Sequence, residues 1–240
     1  MGEIWSEITL YTTFFCLGLS LWLAIYLLSR SRANPLAFRA IIALLALAAY
    51  YLYLVNAQIS GTYERSPVRS FTIMIALIAW HDMTLTMLSP QQQKKRAALG
   101  HGILLAGVVV TVLIFTAPPA LPCDPTIVCP SVLNLNNLVF ELFNGLIFCS
   151  ILANLWVLRK TQGQMYNLAF ILAILVGIGS VSFGFIGTIL NAAVPRILPN
   201  LLILSAVSLM AYSVARNRTF VTHRTSSYDL QVTLLTITAV

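Results

Sequence analysis

The feature that most constrains this chain is the length of its uninterrupted apolar runs. A helix crossing the ~30 Å hydrocarbon core of a bilayer needs about 20 consecutive, mostly apolar residues at 1.5 Å per residue. Seven such runs follow one another, at 8–28, 40–57, 70–88, 97–117, 135–158, 166–190 and 197–215. A transmembrane β-barrel would instead alternate polar and apolar residues over segments of about 10. Only 9% of the residues are charged, against roughly a quarter in a soluble domain, which is too few to coat a water-soluble globule. The expected fold is therefore all-α: a polytopic membrane helix bundle of seven transmembrane helices over residues 1–215, followed by a juxtamembrane tail at 216–240. The first run is not a cleavable signal peptide, because Glu3 and Glu7 precede it and it ends at Ser29-Arg30-Ser31-Arg32 rather than at a small-residue cleavage site.

The formal net charge of +7 marks sidedness rather than affinity for nucleic acid, since there is no solvated face for a basic patch. Eleven of the fourteen Lys and Arg residues fall in the first, third and fifth connections and in the tail: Arg30, Arg32 and Arg39, then Lys94, Lys95 and Arg96, then Arg159 and Lys160, and finally Arg216, Arg218 and Arg224. Only Arg65, Arg69 and Arg196 fall on the other side. The positive-inside rule then places the N-terminus outside and the tail in the cytoplasm. The basic clusters also suit anionic lipid head groups, so the bilayer is the first expected partner.

The fourth connection, rich in proline, holds Cys123 and Cys129 on the outer side. A disulfide between them would pin a small loop. The rival reading, a redox or metal pair, lacks both Cys-x-x-Cys spacing and a histidine in the loop. Cys16 and Cys149 lie inside runs and read as small apolar packing residues.

Ionisable groups inside a membrane are costly and are functional candidates by default. Here they are His81 and Asp82 in the third run and Glu141 in the fifth. Asn134, Asn137, Glu141 and Asn144 are spaced 3, 4 and 3 and so share one helical face. With Tyr50, Tyr51, Tyr53 and Asn56 of the second run, they are expected to line a polar pocket that opens outward, with His81 within reach of Glu141. The competing reading is hydrogen-bond glue between helices. Gly177, Ser180, Gly184 and Gly187 give the sixth run a small-residue face for close packing. Three or four metal ligands are not in reach of one another. All three lysines, Lys94, Lys95 and Lys160, lie in connections, which leaves no Schiff-base lysine for a retinal protein. No hydrolase, metalloprotease or phosphate-loop motif is present. The expectation is a non-enzyme without metal or cofactor.

The layout of an outward N-terminus, the first inner loop Arg30-Ser-Arg32-Ala-Asn-Pro35-Leu-Ala-Phe-Arg39 and the basic linker Arg216–Arg224 resembles the seven-span N-terminal input regions of bacterial sensor proteins such as histidine kinases. The resemblance covers about residues 1–225. It implies a module in the bacterial inner membrane that senses a small ligand or the state of the membrane and passes a helix movement to a cytoplasmic output domain. No output domain lies within these residues, and the last eleven, apolar and Thr-rich, read as the start of something longer as readily as a natural end. The alternative function is a structural or accessory subunit of a larger membrane complex.

Overall fold

A computed structural model of the chain describes residues 2–30, 34–60, 67–116, 127–128, 135–162, 171–180 and 194–217. The fold is nearly all helical. Among the described residues it has seven helices: α1 (Gly2–Arg30), α2 (Pro35–Ser60), α3 (Pro67–Thr86), α4 (Pro90–Thr116), α5 (Leu135–Gln162), α6 (Ile171–Ser180) and α7 (Ile197–Asn217). Two short strands, β1 (Ile127–Val128) and β2 (Val194–Pro195), pair antiparallel, with Ile127 opposite Pro195. They tie the α4–α5 connection to the segment that leads into α7. Four helices carry stretches long and apolar enough to cross a membrane: Ser6–Ser29, Pro35–Ser60, Pro90–Thr116 and Leu138–Lys160. The chain is thus a membrane-embedded helical protein.

The helix starts follow from local chemistry. Asn34 caps α2, its side-chain Oδ1 accepting from the backbone N–H of Leu36 at 3.0 Å, while Pro35 takes the first helical position, where no N–H is needed. Ser89-Pro90 opens α4 in the same way, with the Gln93 N–H donating to the Ser89 carbonyl at 2.9 Å. The Gln93 side-chain amide also reaches back to the carbonyls of Thr86 and Leu88, at 3.0 and 2.8 Å. These are acceptors that the end of α3 would otherwise leave unsatisfied, so one side chain closes α3 and holds the short turn into α4.

Packing runs from α7 to α1, α1 to α2, α2 to α3, and α3 to both α4 and α5, which also touch each other. On α1 the buried face is Thr9, Thr13, Cys16, Ser20, Leu23 and Leu27, a stripe at helical spacing. It is rich in small residues, and α1 packs most extensively on α2, half of whose buried residues are alanine. Small side chains let two backbones approach closely in a medium where van der Waals packing drives helix association. Polar groups lock the α1–α7 seam. The Asn200 amide donates to Thr13 Oγ1 at 3.1 Å, and the Cys16 thiol donates to the Asn200 carbonyl at 3.3 Å.

Two positions expected from sequence read differently in space. Cys16 is buried as expected, but it contributes a hydrogen bond as well as bulk. Arg196, counted above as an outer-loop charge, is 1% exposed and, among the described residues, the largest fully buried side chain. It lies close enough to Tyr51 of α2 to act on it electrostatically. It lies between β2, which pairs with β1, and the start of α7.

Gly177 of α6 meets the face of the Trp80 indole on α3, and a Cβ there would come within 2.7 Å of the ring. The ring is 2% exposed and has no room to turn aside. Gly177→Ala is therefore expected to destabilise the bundle by about 1–3 kcal/mol through overpacking. Thermal unfolding in mild detergent should show a lowered Tm, largely restored when Trp80→Phe is added. An unchanged Tm for Gly177→Ala alone would remove this contact from the account.

Candidate functional site

On α5 the polar side chains Glu141, Asn144, Ser150 and Asn154 are all buried, as are Phe143, Ile147 and Ile151. Each polar group needs partners inside the bundle, because lipid offers none. Asn154 finds two. Its amide nitrogen donates to Thr84 Oγ1 on α3 at 3.1 Å, and its oxygen accepts from Arg96 Nη1 on α4 at 2.7 Å. Arginine is a donor only, so the amide orientation follows. Thr84 in turn donates to the His81 carbonyl at 2.8 Å. One buried amide thus joins three helices. Beside it, Arg39 of α2 donates from Nε to the Asp82 carboxylate of α3 and from Nη1 to the Pro35 carbonyl at 3.0 Å. His81 is 3% exposed, with Asp82 and Arg96 as the charged groups acting on it.

These contacts fix the register of the helices. Thr84 meets Asn154, while Gly107 of α4 lies between Ile78 of α3 and Phe143 of α5. Both α3 and α5 advance between these two levels, so they run parallel, and α4 runs against them. At 1.5 Å per residue, His81 sits roughly 8–15 Å further along the axis than Glu141. The expected single pocket is therefore split. Glu141 and Asn144 occupy one buried level, and His81 and Asp82 lie near the other end, where Arg39 and Arg96 also are.

The remaining predicted positions are distributed as follows. Tyr53 is half-buried on α2, and Asn56 is exposed. Asn137 lies in α5, but its side chain, like the whole of Asn134, is outside the described residues. So are Cys123, Cys129, Arg32, Arg218, Gly184, Gly187 and the side chains of Arg30 and Arg216. Lys94, Lys95, Arg159 and Lys160 are exposed, whereas Arg96, expected only as a topology marker, is partly buried against Asn154. Among the described residues no group of three His, Cys, Asp or Glu could hold a metal ion. Reading for charges and for one stripe missed Asn154, Thr84 and Asn200. The available signal was a lone amide inside an apolar run, which needs a partner wherever it faces.

The polar end opens into a cavity of about 670 Å³ between α2, α3 and α4. Arg39, His81, Asp82, Gln93, Lys94 and His101 surround one part of it. Phe71, Ile75, Ile78, Leu104 and Val108 line the other. Leu104 and Val108 are themselves largely exposed, so the cavity opens sideways along α4 into the space a membrane occupies. This is the size and composition of a ligand pocket: mostly apolar, with a few convergent polar groups.

The two polar contacts should differ in weight. Asn154→Leu strands the Arg96 and Thr84 groups and is expected to cost about 1–3 kcal/mol. The Arg39–Asp82 pair has side chains 28% and 46% exposed, and its double-mutant coupling energy should stay near or below about 1 kcal/mol. Unfolding in detergent of the variants measures both, and the reverse order would contradict the assignment. Compared with known proteins, the chain matches no family model, no curated protein and no solved structure.

Proposed function

We propose that the chain is a seven-span sensory input module of a bacterial inner membrane, with the basic end in the cytoplasm. In this reading a small amphipathic ligand, or the state of the surrounding lipid, is registered in the cavity between α2, α3 and α4. The supporting observation is how that cavity is built. Its walls are three separate helices, and at its polar end they are joined by two side-chain clasps, Arg39–Asp82 and Arg96–Asn154–Thr84. Of the four long apolar helices, α4 has the smallest share of its length buried, so it can shift at little packing cost. Filling or emptying the cavity would move α4 against α2 and α3, and the basic segment after α7 would carry the change to an output domain or partner. Glu141 and Asn144 form a second buried level in this scheme and set the arrangement of α5.

A second reading, an accessory subunit of a larger membrane complex, is favoured by one observation. The outer face of α1 exposes Ile4, Tyr11, Phe14, Phe15, Ile25 and Leu28 as one broad apolar surface. A distance measurement separates the two readings. Spin labels at exposed Phe38 of α2 and Leu105 of α4 should report a change of 2 Å or more when lipid composition or ligand is varied in vesicles. A constant distance under every condition would favour the accessory subunit. For sidedness, single cysteines in place of Lys94 and Asp124 should label from outside intact cells at position 124 only, and labelling at 94 alone would invert the topology.

A further inference from the structure

The cavity between α2, α3 and α4 has a length, an opening and a charge, and together they specify an occupant. Along α4, His101 to Thr111 is ten residues, roughly 15 Å at 1.5 Å per residue, which is half of a ~30 Å hydrocarbon core. Between those two polar ends the lining is apolar, from Ile103 to Val108 on one wall and from Ile75 to Ile78 on the other. The opening is lateral, past the exposed side chains of Leu104 and Val108, so a molecule already in the bilayer enters without crossing water. Beyond His101, about two helical turns further along α4, Lys94 lines the polar end and is exposed. Asp82 is the one carboxylate among the described lining residues, and Arg39 already neutralises it. The polar end therefore carries a net positive charge, which suits an anionic head group.

We infer that this cavity holds one acyl chain of an anionic membrane lipid, with its phosphate drawn to Lys94 and His101 and its chain laid along α4 between Ile78 and Val108. The inference deepens the sensory reading and rests on it only for its consequence, since lipid could occupy the cavity without any signal being passed. A zwitterionic lipid has the same chains but brings a second, cationic group to an end already rich in cations. Head-group charge therefore provides selectivity while the chain provides most of the burial. Lys95, one residue on and about 100° around the helix, does not line the cavity, which makes it an internal control for general attraction to a charged surface.

The test uses the full chain in vesicles containing a phosphatidylglycerol or a phosphatidylcholine with the same chains, each carrying a photoactivatable group on one chain. The phosphatidylglycerol probe should label α3 and α4 around Ile75, Ile78, Leu104 and Val108, at least fivefold more than the phosphatidylcholine probe. Lys94→Glu should lower that labelling about tenfold while Lys95→Glu changes it less than twofold. Val108→Trp, which narrows the mouth from an exposed position, should lower labelling by both probes. Equal labelling by the two probes, or equal loss with Lys94→Glu and Lys95→Glu, would overturn the site. So would full protection by soluble glycerol phosphate, which would mark a free-phosphate site instead. Selective labelling with no accompanying change in the distance from α2 to α4 would leave the lipid site standing and overturn the sensory reading alone.

Discussion

The register of α3, α4 and α5 depends on one buried amide inside an apolar run, that of Asn154. Its amide has four hydrogen-bonding positions and no water to fill them, and it reaches both Thr84 and Arg96. Those two bonds fix how far α3 and α4 slide along α5. The levels of every other group on those helices follow, including the depth of His81 and the mouth of the cavity. Asn200 plays the corresponding part at the opposite end, where it holds α7 to α1 through Thr13 and Cys16.

The two seams leave different freedoms. Between α1, α2 and α7 the faces are small residues in close contact, with Tyr51 and Arg196 buried nearby. That side is dense. By contrast, α3 packs closely on α2 but α4 touches α3 far less, and it parts from α2 and α3 along a cavity open to the side. A bundle with one close-packed seam and one loosely filled seam is mechanically suited to converting occupancy of the loose seam into a displacement of α4. This asymmetry, more than the presence of ionisable groups as such, supports the sensory reading over a purely structural one.

Much of the architecture was legible in the sequence, and for physical reasons. Apolar runs of spanning length mark where the helices lie, and α7 begins at the residue expected, Ile197, whereas α2 and α4 start earlier than their apolar runs, at Pro35 and Pro90. The interior candidates were legible as residues and not as places. His81 and Glu141 were recognised as costly to bury, yet their relative depth depends on the register of α3 against α5, which no single-helix pattern encodes. Arg196 looked like a loop charge because prolines flank it at 195 and 199. Its burial is a tertiary fact: it follows β2, which pairs with β1 more than sixty residues away, and no local pattern encodes that. Asn154 was invisible to a reading that ranked residues by charge, although an uncharged amide in lipid is nearly as demanding of partners.

The division of the interior into two polar levels is the claim on which the rest stands, and disulfide cross-linking of paired cysteines in native membranes, in a background with the four natural cysteines replaced, tests it most directly. The account predicts rapid cross-linking of the pair Thr84→Cys and Asn154→Cys, and none of the pair His81→Cys and Glu141→Cys. Cross-linking of the second pair with the first silent would restore a single pocket and contradict the register that sets the cavity and its clasps.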